Sequence, residues 1–290
     1  MDDSRVVGTI QETTAGADDT LLDIARREDL GYWDIVLANP GVDVWLPGEG
    51  TRVSLPRRFI LPDAPREGIV VNVPEMRLYY YPPRSENSPG KVITHPVGIG
   101  RQDWDTPLGL TKVTDKIPKP TWYPPASIRK AATKKGKTLP PVVPPGPDNP
   151  LGEYVLVLDR KGYLIHGTNR PAGVGMRVSH GCMRLYPEDI ASLFPRIPRG
   201  TPVRIVNQPI KTTWHRKELL AETHPLPADD DYKVLHVKEH RALAGHLREV
   251  LGERARTAGL EVATQRLAPD QVLLNGVPQR VPLSRTPTVA

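Results

Sequence analysis

The stretch from Ile165 to Leu185 reads IHGTNRPAGVGMRVSHGCMRL and holds most of the reactive side chains that stand out in the sequence. It places His166, His180 and Cys182 within 17 residues, and Cys182 is the only cysteine among the 290 residues of the chain. A disulfide within one chain and a multi-cysteine metal site are therefore excluded. A thiol with histidines in the same segment is typical of a cysteine nucleophile and its general base.

The two histidines differ in how the fold can deliver them to the thiol. His166 ends an apolar run that we predict as a strand, so the fold can place it beside Cys182. The turn expected at Gly181 leaves the direction of His180 open, and for this residue we predict a supporting hydrogen bond rather than base catalysis. The backbone N–H groups of Gly181 and Cys182 are predicted to face a developing oxyanion, and Arg184 to hold a carboxylate or orient the loop.

Two other interpretations of these residues stay open at this point. Cys182 is also compatible with a buried structural thiol, which is the usual state of a single cysteine. His166, His180 and Cys182 together would offer three zinc ligands, although no CxxC or HExxH pattern accompanies them.

The composition is that of a globular chain with a surplus of basic residues. Hydrophobic residues make up 38% and charged residues 25%, and the net charge is +6. The 33 prolines exclude a mostly helical protein, because interior prolines break helices. The positive charge suits a polyanionic partner such as acidic cell wall, whereas no nucleic-acid-binding motif is present. The sequence contains no apolar run of about 18 residues, so we predict no transmembrane helix. Residues 1–5 do not resemble a signal peptide.

The first part of the chain, residues 8–56, carries two short helical patterns followed by a strand pattern. We predict a β-α-α-β domain here, in which Asp18 or Asp19 caps the first helix. A strand near Val7–Ile10 is predicted to pair with the strand at Thr51–Pro56.

Two further parts follow the first. Residues 68–206 hold many short strand patterns and a helix over Pro187–Phe194, which predict a mainly β catalytic domain of sandwich or barrel type with one or two helices. Within it, the proline- and lysine-rich stretch 117–150 has no clear periodicity, and we interpret it as a lid over the site. Residues 207–290 hold a helical pattern over Glu239–Arg256 and an Asn-Gly turn, which predict a C-terminal α+β subdomain.

Several blocks of this sequence match one enzyme family. The most specific are His166-Gly167-Thr168 followed by Ser179-His180-Gly181-Cys182-Met183-Arg184-Leu185, and the others are Pro96–Gly100, Thr106–Gly109, Pro120–Pro125 and Gly146–Gly152. These blocks are similar to the signature of the L,D-transpeptidase (YkuD-type) family. In the first part, Asp19-Thr20-Leu21, Ala38-Asn39-Pro40 and Leu46-Pro47-Gly48 resemble a LysM module. The combination resembles the ErfK/YbiS-like Gram-negative branch of the family.

This resemblance implies acyl transfer at a peptidoglycan stem peptide. Cys182 would attack the carbonyl that joins meso-diaminopimelate to D-Ala, His166 would act as base, and the Gly167 carbonyl would orient the imidazole. Backbone amides near His180 and Gly181 would stabilise the oxyanion. The implied substrate-binding residues are Arg184, Ser179, Thr168, Trp122 and Tyr123.

The resemblance also implies partners and a location. The thioester would pass to the diaminopimelate of a second stem, to the C-terminal lysine of an outer-membrane lipoprotein, or to water. No metal or organic cofactor is expected, the LysM-like module is expected to contact glycan strands, and carbapenems are expected to acylate Cys182. We expect a periplasmic protein whose natural gene encodes additional N-terminal residues. The alternatives are a noncatalytic peptidoglycan-binding protein with a degenerate enzyme fold, and a hydrolytic L,D-carboxypeptidase or lipoprotein-releasing amidase.

Overall fold

The contacts of the chain divide it into two units. A computed structural model describes residues 5–83, 90–101, 104–134, 136–224, 237–258, 260–262 and 275–285. One unit is Ala64–Val206, and the other combines Met1–Asp63 with Asn207–Ala290. Within the described ranges, no helix is both long and apolar enough to cross a bilayer.

The N-terminal segment contains the predicted β-α-α-β order and adds one strand before it and one after it. Its elements are β1 (Val6–Gly8), β2 (Gln11–Thr14), α1 (Leu21–Arg27), α2 (Tyr32–Ala38), β3 (Arg52–Leu55) and β4 (Arg58–Ile60). β2 pairs with β3, whereas β1 pairs with β4. The predicted pairing of Val7–Ile10 with Thr51–Pro56 is therefore wrong, because the extended chain makes two short ladders where we expected one.

The start of α1 also differs from the prediction. Thr20, not Asp18 or Asp19, is the N-cap: its Oγ1 accepts a hydrogen bond from the Asp23 N–H at 3.1 Å. The Asp23 carboxylate accepts the Thr20 N–H at 3.0 Å in return, which completes a capping box. Asp19 instead pairs with Arg27 at 2.9 Å.

The unit Ala64–Val206 is built on one mixed sheet. Its elements are β5 (Gly68–Asn72), β6 (Arg77–Tyr81), β7 (Ile93–Pro96), β8 (Ile99–Gly100), β9 (Gly109–Pro118), α3 (Ala126–Lys134), β10 (Tyr154–Leu158), β11 (Leu164–His166), β12 (Arg177–Ser179), β13 (Met183–Arg184), α4 (Pro187–Leu193) and β14 (Pro202–Val206). The eight strands of the sheet lie in the order β13-β11-β10-β9-β14-β5-β6-β7, and β8 pairs separately with β12. The predicted mainly β character is confirmed.

The core of this unit explains the near-continuous apolar runs in its central strands. Ile69, Val71 and Leu156 have no exposed surface, as expected for strands covered on both faces. Pro187 opens α4 at its first turn, and this helix buries Ile190 and Leu193.

The predicted lid, residues 117–150, is more regular than its sequence suggests. α3 forms within it, so the prediction of a stretch without regular structure is wrong for Ala126–Lys134. Trp122 and Val143 form an isolated β-bridge across the base of the segment. Asn149, which is fully buried, donates from Nδ2 to the Pro120 carbonyl at 2.7 Å. This side chain therefore ties the two ends of the segment together.

The C-terminal segment completes the other unit. Its elements are β15 (Ile210–His215), β16 (Glu218–Thr223), α5 (Val237–Thr257), β17 (Leu260–Val262), β18 (Gln279–Arg280) and β19 (Leu283–Arg285). α5 spans the predicted helix Glu239–Arg256 and buries Leu247 and Leu251 against Leu219. The predicted hairpin at Val272–Val277 lies mostly outside the described residues.

A buried ion pair links the N-terminal and C-terminal segments of that unit. The Glu222 carboxylate lies 2.7 Å from Lys211 Nζ and 2.6 Å from His224 Nε2, and it also accepts the Ile60 N–H. Lys211 Nζ donates to the Ile60 carbonyl as well. A buried carboxylate with this many donors is satisfied, so β4 is fixed to the hairpin of β15 and β16.

Candidate active site

Two adjacent strands bring the imidazole and the thiol together. β11 pairs in parallel with β13, with Ile165 opposite Met183 and His166 opposite Arg184. The Leu185 N–H donates to the His166 carbonyl at 2.9 Å and extends this pairing. Because Cys182 directly precedes β13, it lies beside the strand that ends in His166, and both side chains line one cavity of about 290 Å³.

The turn that carries the thiol depends on Gly181. Its φ of +97° lies in the left-handed region, and a Cβ there would lie 2.8 Å from Cε1 of Tyr163. Ser179 Oγ accepts the Gly181 N–H at 3.1 Å and donates to the Cys182 carbonyl at 2.6 Å. Thr106 Oγ1 donates to the Gly181 carbonyl at 3.2 Å. The turn is thus held from two sides.

The hydrogen bond of Gly181 changes one expectation. We predicted that its N–H faces an oxyanion, but in this structure it donates to Ser179 Oγ. The Cys182 N–H, in contrast, has no hydrogen-bond acceptor among the described residues.

His166 is held as a neutral ring with a defined tautomer. The side chain is 3% exposed, and Nδ1 lies 2.6 Å from the Gly167 carbonyl oxygen. Since a carbonyl only accepts, Nδ1 carries the proton and Nε2 has the lone pair. Burial lowers the pKa of His166 from 6.5 to about 3, and the positive charge of Arg184 is the second-largest cause of this shift. Hydrogen bonds to the carbonyls of Gly167 and Leu151 oppose it.

The thiol of Cys182 is neutral at rest as well. Burial raises its pKa, and this effect outweighs the Leu164 backbone N–H and the Arg184 charge, which lower it. Sγ lies 3.6 Å from the Gly162 carbonyl oxygen, which can accept only from a protonated thiol. The site therefore holds a thiol and a neutral imidazole, not a preformed thiolate.

His180 is engaged by residues outside the motif. Arg101 Nη2 lies 3.4 Å from His180 Nε2, and the Trp104 ring packs edge-on against the imidazole at a centroid distance of 5.0 Å. A guanidinium donates only, so Nε2 acts as the acceptor of this contact. A positive charge at this distance also opposes a zinc ion on Nε2, and the zinc interpretation has no support in this geometry.

Comparison with known proteins identifies the family. A family model of the YkuD L,D-transpeptidase catalytic domain matches residues 66–205. The chain is 44% identical to the probable L,D-transpeptidase YcfS of Escherichia coli strain K12, across 83% of this chain and 77% of that protein. It is 47% identical to the probable L,D-transpeptidase YbiS of the same strain, across 73% and 69%, and 46% identical to ErfK/SrfK, across 72% and 67%.

The chain belongs to the YkuD-type L,D-transpeptidases. It is an enzyme of this type, and the predicted resemblance to the ErfK/YbiS-like branch is confirmed.

The predicted substrate-binding residues of this L,D-transpeptidase separate into four positions. Ser179 lines the thiol cavity, and Trp122 and Arg184 line both this cavity and a larger one of about 620 Å³. Thr168 lines only the larger cavity, where its Oγ1 accepts the Arg170 N–H at 2.9 Å. Tyr123 is 67% exposed and is part of neither cavity lining.

Sequence reasoning did not single out four residues that shape the transpeptidase site. Arg101 and Trp104 contact His180, Thr106 holds the turn, and Asn149 fixes the lid segment. Thr106 and Asn149 lie in blocks that match the family, so the blocks marked their position without indicating a role.

We expect the burial of His166 to make the L,D-transpeptidase less stable in acid. The unfolded chain binds a proton on this ring below about pH 6.5, but the folded chain does so only near pH 3, so the free energy of unfolding falls as the pH drops through this window. Urea unfolding of wild type and His166→Gln from about pH 7.5 to pH 4 measures the effect. The variant should lose less stability than wild type over this range, and parallel profiles would contradict the assignment.

We also expect slow alkylation of Cys182 by iodoacetamide at neutral pH. Because burial raises the pKa of the thiol, the rate should rise with pH to a midpoint above that of an ordinary cysteine. The same chain unfolded in urea is the matched control, since its single thiol is then solvated. A rate that is already at its plateau near neutral pH would show a preformed thiolate and contradict this prediction.

Proposed function

We propose that this chain is a periplasmic peptidoglycan L,D-transpeptidase that acylates Cys182 with a stem tetrapeptide. The observation that carries the proposal is the shared cavity of Cys182 and His166, in which Nδ1 of His166 is tied to the Gly167 carbonyl. This tie leaves the Nε2 lone pair as the proton acceptor of the ring. A base in this tautomer and a nucleophile in one cavity are the parts that acyl transfer needs.

In the first half-reaction, Sγ attacks the carbonyl between meso-diaminopimelate and D-Ala. The thiol proton moves to Nε2 of His166 as the sulfur–carbon bond forms. The Cys182 N–H is the donor we assign to the oxyanion, and such a donor contributes about 3 kcal/mol in comparable sites. For the Gly181 N–H to join it, this group must exchange its bond to Ser179 Oγ. The carbon–nitrogen bond then breaks, and His166 returns the proton to the departing amine of D-Ala.

In the second half-reaction, an amine attacks the thioester. His166 takes a proton from this amine, the carbon–sulfur bond breaks, and the thiol is regenerated. The acceptor is the side-chain amine of a second stem, which gives a direct crosslink, or the lysine of an outer-membrane lipoprotein, which gives an anchor. Trp122, Pro125 and Ile128 of the lid segment line the thiol cavity and support the exclusion of water that transfer requires.

The two alternative functions differ in what happens at Cys182. A noncatalytic wall-binding protein would form no acyl-enzyme, and the intact cavity with its thiol and neutral imidazole argues against it. A hydrolytic L,D-carboxypeptidase would use the same first half-reaction, with water as the acceptor. A lipoprotein-releasing amidase would attack the same diaminopimelate carbonyl, with the lysine amine of the lipoprotein as the leaving group and water as the acceptor. Product identity, not geometry, separates transfer from hydrolysis.

We further propose that the LysM-like module contacts glycan strands through the loop after α2. Trp45 is 61% exposed and Leu46 is 81% exposed. Asp43 Oδ1 accepts both of their backbone N–H groups, at 2.8 and 2.9 Å, and so holds this loop in one shape. An exposed indole in a fixed loop offers a flat apolar face of the kind on which a sugar ring can stack.

The acyl-enzyme tests the catalytic proposal. Wild type incubated with a disaccharide tetrapeptide should gain the mass of the acyl group on Cys182, with release of D-Ala, as measured by intact-protein mass spectrometry. Cys182→Ala should gain no mass, and His166→Gln should acylate more slowly by a factor of about 100 or more, because it lacks the base. A carbapenem should give an adduct on wild type but not on Cys182→Ala.

The outcomes of this experiment separate the alternatives. An absent adduct on wild type, or an equal adduct on Cys182→Ala, would exclude the cysteine mechanism. An adduct that resolves only to the tripeptide would favour hydrolysis, and new crosslinked muropeptides or lipoprotein-linked muropeptides from whole sacculi would identify the acceptor.

For the module, co-sedimentation with purified sacculi provides the measurement. Trp45→Ala should bind sacculi about tenfold more weakly, since one stacked ring contributes on the order of 1 kcal/mol or more. Trp33→Ala is unsuitable as a control because its ring packs against Tyr32, whereas the exposed Ile10→Ala removes an apolar side chain elsewhere on the segment. Equal binding of Trp45→Ala and wild type would contradict the proposed contact.

A further inference from the structure

The larger cavity carries two positive charges that nothing in the described chain neutralises. Arg184 and Arg170 both line it. Within the described residues, neither guanidinium takes part in a hydrogen bond or ion pair, and Nε of Arg184 is buried without a partner. Burial has the largest effect on the pKa of Arg184 and lowers it, Cys182 raises it, and the positive charge of Arg170 lowers it, so the two guanidinium groups repel each other.

Arg184 is the costly member of this pair unless an anion joins it, whereas Arg170 is exposed to solvent. Burial disfavours the charge of Arg184, and the positive charge of Arg170 nearby adds to that cost. Asp148 lines the same cavity, but no ion pair forms between it and either arginine in the described structure. A carboxylate accepts two parallel N–H bonds from one guanidinium, which makes it the ligand class that best fits this wall.

The position of the pair indicates which reactant it serves. Arg184, Trp122 and Ile128 line both cavities, so the larger one adjoins the thiol cavity. Cys182 does not line the larger cavity. A molecule bound there would therefore reach the acyl group on Cys182 by passing Arg184. Its walls are rich in prolines, among them Pro144 and Pro145, and suit an aliphatic chain.

We propose that Arg170 and Arg184 form a carboxylate-binding site in the larger cavity that selects amine acceptors bearing a free carboxylate. This inference rests on the proposed acyl transfer and names the class of its second substrate. It assigns to Arg170 a specificity role that the sequence did not indicate, because this residue lies outside the Ser179–Leu185 motif.

The test compares two acceptors that differ only in the carboxylate. Acyl-enzyme formed on Cys182 with the disaccharide tetrapeptide is mixed with D-leucine or D-leucinamide, and both transfer products are quantified by mass spectrometry. The ratio of acid to amide product should fall by about tenfold in Arg170→Gln relative to wild type, because one charge-assisted contact is lost. The ratio is compared between proteins, so the intrinsic difference in basicity of the two amines cancels.

Two further variants make the result specific. Arg129→Gln removes one positive charge from an exposed position on α3, outside both cavity linings, and should keep the wild-type ratio. Arg170→Lys keeps the charge without the planar fork, and its ratio should lie between those of wild type and Arg170→Gln.

Each outcome has one meaning. An unchanged ratio in Arg170→Gln, with normal acyl-enzyme, overturns the carboxylate site and leaves the proposed function standing. A ratio that falls equally in Arg129→Gln shows a general charge effect and also overturns the site. An absent acyl-enzyme on wild type overturns the proposed function itself.

Discussion

The parallel pairing of β11 with β13 is the constraint on which the site depends. It sets His166 opposite Arg184 and so fixes, through the backbone, where Cys182 lies relative to the imidazole. No side-chain hydrogen bond could replace this register, because a slip of one residue along a strand turns every side chain to the opposite face. The tight turn at Gly181 and the bracing by Ser179 and Thr106 serve this pairing, since they bring the chain back beside β11 immediately after β12.

The sequence indicated the reactive residues of the site better than the residues that hold them in position. His166, Gly181 and Cys182 were predictable because each residue type has a distinct chemical use and all three lie in one short segment. Their partners were not, because Arg101 and Thr106 lie far away in sequence, and their roles arise from the pairing of β8 with β12. Local patterns carry no information about contacts of this range.

The difference between local and long-range signals also explains which features of the fold were predicted correctly. The mainly β character followed from short apolar runs between turn residues, and these are local signals. The pairing of β1 with β4 and the cap of α1 by Thr20 were missed, because several nearby residues could have filled each role and tertiary contacts decide among them. α3 was missed because prolines on both sides hid a helix that begins only after Pro125.

Burial and the charge of Arg184 together determine how a proton can move in the proposed reaction. Both favour a neutral His166, whereas for Cys182 they act in opposite directions and burial is the stronger. A protonated His166 beside Arg184 is therefore unfavourable. A Cys182 thiolate is unfavourable as well, because burial outweighs the charge of Arg184. Neither ion is a stable resting species, so the proton must leave the thiol as the carbon–sulfur bond forms and pass on to the departing amine as the carbon–nitrogen bond breaks. A carboxylate bound at Arg184 would weaken the positive potential on His166, which makes the ring a stronger base when a reactant fills the adjoining cavity than when that cavity holds only water.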